Sequence, residues 1–297
     1  AYTRTEMNAL GAEWRSQVAA GQEPLIFTEW YQPLDTQGKW FVNPKAFWQS
    51  QDFNIFDNNQ ETARFNLEQL GAGLEAGREF GQWGEFRLGY QRAFGESDRR
   101  VGDTSLEEPD FDIGFAFGRF GLDRLNSANF PTAGRQVILE YRVHRPGLGD
   151  DEDFDQLTVE GAQALTWGRY TLLPSVTLQR TVSGRAPVYG LIRAGGLFNL
   201  SGYETNQFAG ENYAIGRVIF YRRMGNIQLA PIYFGGSIEY GDVYDETPDI
   251  DDLRGAGSLF LGMDSFVGPL YLAVGLAEGG DKSAYLFLGR PTGSAVN

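Results

Sequence analysis

Large apolar residues alternate with small or charged residues along most of this chain. From Phe111 to Gly118 the odd positions hold Phe, Ile, Phe and Phe, whereas the even positions hold Asp, Gly, Ala and Gly. The same period of two runs through 137–144, 171–179 and 270–277. Successive side chains of a β-strand point to opposite faces of its sheet, so this pattern predicts an all-β protein.

The residues between the apolar ones indicate which kind of β protein this is. Charged and amide side chains stand in mid-strand, namely Arg87, Gln91, Asp112, Glu140, Arg142 and Glu239. Aromatic residues such as Trp40, Trp83 and Trp167 gather toward strand ends, as they do at the two interfaces of a membrane barrel. A transmembrane β-barrel with lipid outside and a polar lumen fits this better than a soluble β protein, which the pattern leaves as the alternative.

Composition excludes several classes of protein. The chain has 39 acidic and 25 basic residues, a net charge of −14, which disfavours nucleic acid because phosphate binding needs a basic surface. There is no Cys, so disulfides and Cys-based zinc sites are excluded. No apolar run reaches the roughly 18 residues of a transmembrane helix. The chain starts Ala1-Tyr2-Thr3 without a signal peptide, so we expect a processed product or a fragment.

Thirteen segments follow the period-two pattern. They are 24–34, 39–56, 60–80, 84–97, 108–122, 134–145, 154–166, 169–181, 211–223, 226–242, 255–267, 269–278 and 282–290. A bacterial single-chain barrel has an even number of strands, so we expect a missed strand, placed among the long segments between 39 and 80. Met7, Leu10, Trp14 and Val18 recur at intervals of three and four, which predicts a short N-terminal helix over 6–20.

Residues 187–203, PVYGLIRAGGLFNLSGY, resemble the signature loop of the bacterial surface antigen superfamily. This superfamily includes outer-membrane assembly factors, two-partner secretion transporters and patatin-like autotransporters. The matching positions are Pro187, Tyr189, Gly195, Gly196, Gly202 and Tyr203. Ser201 departs from the pattern, because assembly factors and two-partner transporters place Arg there. The resemblance implies that residues 183–210 fold into the lumen and brace its wall; an ordinary external loop is the alternative.

Three further stretches resemble the same superfamily, so the likeness covers about residues 110–290. The first is a turn motif before a strand, carried by Phe130, Pro131, Thr132 and Gly134. The second is the wall strand at 238–245, whose acidic residue Glu239 would meet the loop tip. With Ser201 at the tip, Arg193 and Arg217 are candidate partners of Glu239, which could also be one solvated lumen carboxylate among many. The third is a C-terminal assembly signal with Tyr285, Phe287 and Gly289.

The resemblance implies a barrel nominally of 16 strands, and we expect 14–16 with a lumen-inserted loop. Residues 1–22 would be a helical linker or the tail of a periplasmic polypeptide-transport module, 23–291 the outer-membrane barrel, and 292–297 a C-terminal tail. Ser201 and the opening 29–35, EWYQPLD, favour the patatin-like autotransporter branch. The chain would then anchor or export an N-terminal, phospholipase-like passenger. An assembly factor and a passive porin are the alternatives.

The sequence gives no sign of an active site, and we expect no enzyme activity, metal or cofactor. Neither a G-x-S-x-G elbow nor a phosphate-binding loop is found. The single histidine, His144, stands between Arg142 and Arg145 and is read as a polar lumen or interface residue. Expected partners are outer-membrane lipid and lipopolysaccharide, the barrel assembly machinery and periplasmic chaperones, and the chain's own passenger; a homodimer is a further candidate. No nucleic acid is expected, and the expected location is the bacterial outer membrane.

Overall fold

A computed structural model of the protein describes residues 2–20, 23–57, 60–101, 110–227, 230–245, 253–266 and 268–289. This part of the chain is built from β-strands and four short 3₁₀ turns. The strands are β1 (Tyr2–Arg4), β2 (Glu13–Ala19), β3 (Leu25–Pro33), β4 (Trp40–Asp57), β5 (Gln60–Glu79), β6 (Glu85–Val101), β7 (Phe111–Asp123), β8 (Gly134–His144), β9 (Phe154–Trp167), β10 (Tyr170–Gly184), β11 (Ile192–Ala194), β12 (Phe208–Gly210), β13 (Asn212–Ile227), β14 (Ala230–Tyr244), β15 (Arg254–Ser265), β16 (Gly268–Ala277) and β17 (Lys282–Leu288).

One antiparallel sheet contains fifteen of these strands in sequence order, with β10 next to β13. The connection between β10 and β13 contains the short β11–β12 ladder. β1 and β17 are the end strands, and no ladder joins them within the described residues. The prediction of an all-β antiparallel barrel with 14–16 strands is confirmed.

The predicted N-terminal helix over 6–20 is wrong, because residues 13–19 form β2, which pairs with β3. A spacing of four residues, as between Trp14 and Val18, is close to one helical turn and is also a multiple of two. Trp14 and Val18 therefore share the outer face of β2, where both are exposed. The described part of segment 1–22 extends the sheet, and the predicted tail at 292–297 lies outside the described residues.

The thirteen predicted segments correspond in order to the thirteen strands β3–β10 and β13–β17 of the large sheet. The two missing strands are β1 and β2; β2 lies in the region read as helix, and β1 precedes it within segment 1–22. The expected place of the missed strand, between 39 and 80, is therefore wrong. Residues 40–57 and 60–79 form just two strands, 18 and 20 residues long.

The two faces of the sheet have opposite chemistry. On β14, Ile238 is 75% exposed and its neighbour Glu239 is 1% exposed, so the apolar side chain lies outside and the carboxylate inside. Large apolar residues such as Leu74, Leu88 and Leu272 cover the outer face in the same way. Soluble monomers rarely expose so much contiguous apolar surface, and an outer face of this kind fits contact with lipid. No helix within the described residues is long and apolar enough to cross a membrane.

The two ends of the barrel differ in the length of their connections. At one end, the turn end, neighbouring strands are joined by 34–39, 80–84, 168–169, 228–229 and 266–267, and by the longer segment 124–133. At the other, the loop end, the connections include 102–110, 145–153, 185–211 and 245–253. Outer-membrane barrels have short periplasmic turns and long extracellular loops, so the turn end is assigned to the periplasm.

Candidate functional site

Residues 185–211, here the lumen loop, enter the barrel from the loop end and contact strands on all sides. Gln156 of β9 donates to the Gly190 carbonyl at 2.7 Å, and Arg193 donates to the Asp52 carbonyl of β4 at 3.3 Å. Gly195 has φ +118°, and a Cβ at this position would lie 2.2 Å from the backbone carbonyl oxygen of Glu204. The chain can therefore fold back here because residue 195 is glycine. The turn that follows, residues 197–203, is the loop tip.

Ser201 at the loop tip binds Glu239 of β14, and both residues are fully buried. The Ser201 amide donates to Glu239 Oε2 at 2.7 Å, and its hydroxyl donates to Oε1 at 2.7 Å. Ser237 donates a third hydrogen bond to Oε1 at 2.5 Å. A buried carboxylate is expensive unless hydrogen bonds satisfy its oxygens, and these three donors do so without a positive charge.

The arginines considered as partners of Glu239 have other contacts. The Arg193 guanidinium lies 4.5 Å from the centre of the Phe53 ring, on a different part of the wall. Arg217 is opposite Glu239 in the β13–β14 register, but its guanidinium donates to the Phe198 carbonyl at 2.7 Å and to Thr177 at 3.0 Å. The Arg217 side chain thus binds the backbone of the loop tip, and Ser201 binds the Glu239 carboxylate.

The loop tip is also held by the last two strands. The Gly202 amide donates to the Tyr285 hydroxyl at 2.9 Å, and that hydroxyl donates to the Tyr203 carbonyl at 2.8 Å. Ser283 donates to the Gly202 carbonyl at 2.9 Å. A Cβ on Gly202 would lie 2.5 Å from the Ala277 nitrogen, so the tip can approach β16 this closely because it carries glycine. The tip is thereby joined to the C-terminal hairpin.

The turn motif at 130–134 reaches the loop tip from the opposite end of the barrel. Phe130 stacks on Tyr233 with ring centres 4.2 Å apart and also packs against Tyr271. Phe198 of the loop tip packs edge-on against the same Tyr271 ring, with centres 5.7 Å apart. We call the buried set Phe130, Leu197, Phe198, Tyr221, Tyr233, Phe260, Tyr271 and Ala273 the tip–turn cluster. It joins a segment from the loop end to one from the turn end, inside the lumen.

Backbone hydrogen bonds fix the turn motif in this position. Pro131 accepts a hydrogen bond from the Tyr221 hydroxyl, and the Thr132 carbonyl accepts one from Thr166 at 2.5 Å. Asn126 accepts from the amides of Thr132 and Ala133 at 2.8 and 3.0 Å. Gly134 follows at φ +99° and begins β8. The motif residues thus direct Phe130 inward rather than toward the periplasm.

A second buried contact holds the base of the lumen loop. The Tyr189 hydroxyl donates to Asp150 Oδ1 at 2.6 Å, and Tyr189 stacks on Phe111 with ring centres 4.8 Å apart. Asp150 Oδ2 lies 2.8 Å from His144 Nδ1 and accepts from the Gly114 amide at 3.0 Å. Burial works to raise the pKa of Asp150, but hydrogen bonds from His144, Tyr189 and backbone amides outweigh it and hold the pKa below its ordinary value.

The structure therefore places most of the predicted site residues around the lumen loop. Tyr285 and Phe287 lie on the inner face of β17 near the tip–turn cluster, and the Gly289 amide donates to the Pro269 carbonyl at 2.8 Å. Pro187 begins the 3₁₀ turn that carries Tyr189. Asp150 was not among the predicted site residues, because it stands in an acidic run of four residues that matches no motif. Within the described residues no group of three His, Asp or Glu side chains converges as a metal site.

Comparisons with known proteins give both a family match and structural neighbours. The family model for the Omp85 superfamily domain matches residues 14–242. BamA from Haemophilus ducreyi, solved without POTRA domains 1–3, aligns with a TM-score of 0.73 at 13% identity, over 96% of this chain and 65% of that one. CdiB from Escherichia coli aligns with a TM-score of 0.65 at 12% identity, over 98% of this chain and 56% of that one. The chain thus spans less than two thirds of either neighbour. No curated protein matches it by sequence.

Proposed function

Because the chain belongs to the Omp85 superfamily, as the resemblance of its loop predicted, we propose that it handles polypeptides as a translocator and anchor. It is a β-barrel of the bacterial outer membrane. In this proposal the barrel holds or exports an N-terminal passenger that precedes Ala1. We assign no catalytic step to the barrel itself.

The observation that carries the proposal is the filled lumen. The lumen loop is bound to Glu239 and to the C-terminal hairpin, and the tip–turn cluster fills the space beside it with aromatic side chains. A passive porin needs an open aqueous channel, which such a filling obstructs. A barrel that moves a polypeptide only while that polypeptide is being exported can have a blocked lumen at other times. The filling therefore favours the translocator over the porin.

Ser201 supports the patatin-like autotransporter branch as the finer form of the proposal. Assembly factors and two-partner transporters carry Arg at the loop tip, whereas this chain satisfies Glu239 with a hydroxyl and two further donors. The passenger would then be a patatin-like phospholipase domain. Its partners during insertion would be periplasmic chaperones and the barrel assembly machinery.

The test is made on the complete natural protein in its own cells. The reading frame upstream of Ala1 should encode a passenger, and protease added to intact cells should remove that passenger only when the barrel is present. A matched variant with the barrel deleted should leave the passenger in the periplasm. A reading frame with several periplasmic modules and no passenger would contradict the proposal.

An assembly factor is the second candidate, and the end strands favour it. β1 and β17 have no mutual ladder within the described residues, which leaves two edges that could pair with an incoming strand. This candidate predicts that depletion of the protein is lethal and lowers the amounts of other outer-membrane barrels. If depletion leaves those amounts unchanged, the assembly-factor candidate is excluded. A large, steady conductance in planar bilayers would instead support the porin and contradict both polypeptide-handling candidates.

A further inference from the structure

An arginine surrounded by aromatic rings lies on the outer wall at the turn end. Arg78, one residue before the end of β5, is opposite Trp40 of β4 and Phe86 of β6 in the sheet register. Its guanidinium carbon lies 5.1 Å from the centre of the Trp40 ring and 5.2 Å from that of Phe80. All three rings are exposed on the outside of the barrel, as is Arg78 itself.

The same arrangement recurs on another part of the wall at the same end. Arg222 of β13 is opposite Tyr170, the first residue of β10, and its guanidinium lies 5.3 Å from the Tyr170 ring centre. Tyr170 stacks on Phe220 with ring centres 5.7 Å apart, and Trp167 extends this group. In both places an outward arginine beside a short turn lies over an exposed aromatic ring.

The depth of Arg78 follows from the outward side chains of β6. From the turn end these are Phe86, Leu88, Tyr90, Arg92 and Phe94; the four apolar or aromatic ones are exposed, and Arg92 is paired with Asp112. Eight steps at about 3.3 Å span about 26 Å along the strand, or about 20 Å along the membrane normal at a tilt of about 40°. This is close to the lipid-facing band of such barrels, about 25 Å tall. Arg78, opposite Phe86, therefore lies at the periplasmic boundary between acyl chains and headgroups.

Within the described residues the two arginines have no carboxylate partner, whereas a third, similar arginine does. In the described part of the chain neither Arg78 nor Arg222 forms an ion pair. Arg92 lies on the same outer wall between Tyr90 and Phe94 of β6, 4.7 Å from the Phe94 ring centre, and pairs with Asp112 at 2.6 Å. A guanidinium over a ring keeps its N–H donors in its own plane, free for bidentate contact with an anion. The anion available at this depth is a lipid phosphate.

We propose that Arg78 with Trp40 and Phe80, and Arg222 with Tyr170, bind the phosphate of anionic glycerophospholipids in the periplasmic leaflet. The aromatic rings contact the glycerol and the adjoining part of the acyl chains, and the guanidinium binds the phosphate through its in-plane N–H groups. Basic side chains beside a membrane-spanning segment recognise anionic headgroups in this way. The sites hold the turn end of the wall at a fixed depth, and they are separate from the lumen loop.

The test measures retained lipid on the intact barrel. Wild type and variants are reconstituted in vesicles of phosphatidylethanolamine with a minor share of phosphatidylglycerol. They are then extracted in mild detergent, and bound phosphatidylglycerol is counted by native mass spectrometry. The double variant R78Q/R222Q should retain about tenfold less phosphatidylglycerol, since each site loses a charge-assisted hydrogen bond. The matched control R92Q, which removes an arginine that has its own carboxylate, should retain as much as wild type.

Three results would overturn the proposal. The first is equal retention by R78Q/R222Q and wild type, and the second is an equal loss in R92Q. The third is displacement of phosphatidylglycerol by inorganic phosphate, which would show a site for free anions rather than for lipid. If the double variant does not fold, the single variants R78Q and R222Q replace it, and each should lose part of the retained lipid. Heat-modifiability on gels verifies the fold of every variant.

Discussion

Replacing Ser201 with Ala removes one oxygen from the contact between loop tip and wall. That oxygen donates to Glu239 Oε1 at 2.7 Å and accepts the Phe198 amide at 2.9 Å. The second contact, from the Ser201 amide to Glu239 Oε2 at 2.7 Å, belongs to the backbone and survives the substitution. The variant therefore tests the hydroxyl alone, in a site that is fully buried.

The expected cost follows from the two hydrogen bonds that are lost. A hydrogen bond to a charged group contributes about 1.5–3 kcal/mol, and a buried amide left without a partner costs about 1–3 kcal/mol. Allowing for relaxation of the site, S201A should raise the free energy of the bound loop by about 2–4 kcal/mol. Because 1.4 kcal/mol is a factor of ten, the equilibrium for loop opening should shift about 30-fold to 700-fold.

A thiol reporter measures this opening directly, because the chain has no cysteine of its own. Ala194 in β11 is 0% exposed, so A194C should react with a thiol reagent only when the lumen loop leaves its site. S201A should accelerate that labelling by the factor given above. The matched control is S283A, which removes one neutral hydrogen bond of 2.9 Å to the same loop tip. It should accelerate labelling only about fivefold, for a loss of about 1 kcal/mol. Equal rates in S201A and S283A would refute the view that the Glu239 contact holds the loop.

Three further outcomes are expected. G202A should accelerate labelling more than S201A does, because its Cβ would lie 2.5 Å from the Ala277 nitrogen at φ +109°, and unchanged labelling would contradict the close approach. Since hydrogen bonds hold the pKa of Asp150 below its ordinary value of 3.8, its stabilising effect is present above that pH and is lost as pH falls through the lower pKa. The unfolding temperature measured by circular dichroism should therefore fall over that range, and D150N should remove this pH dependence. F130A should destabilise the barrel by about 3–5 kcal/mol, seen as a lower unfolding temperature on gels, whereas V188A, at an exposed position of the lumen loop, should have little effect.

Much of the fold could be predicted because lipid and lumen impose opposite chemistry on successive residues. Ile238 and Glu239 illustrate this, since one is lipid-facing and the other is buried inside. Alternation of apolar and polar residues does not identify a strand where one spacing fits both a helix and a strand, as for Trp14 and Val18 in β2. It also fails where turn residues are part of the interior. Asp150 belongs to an acidic run, and its contact with Tyr189, 39 positions further along the chain, leaves no trace in local sequence.

The candidate site was predictable only to the level of which segments meet. The likeness of 187–203 to a known loop, and of 238–245 to a known wall strand, indicated that the loop tip and Glu239 are neighbours. The hydrogen-bond donors of Glu239 could not be predicted. One of them is the Ser201 amide, and since almost every residue has a backbone amide, the sequence does not show which amide binds the carboxylate. Phe130 was recognised as part of a turn motif, but its packing against the loop tip depends on three-dimensional proximity across the whole barrel.

The contacts of the loop tip also impose an order on biogenesis. Ser283 and Tyr285, which hold Gly202 and Tyr203, belong to the last strand of the described chain. The tip precedes them by about eighty positions, so it waits, unbound on that side, until the C-terminal hairpin has formed. A chain truncated before β16 would have no partner for its tip on that side. The tip can therefore reach its full set of contacts only after the C-terminal hairpin is in place.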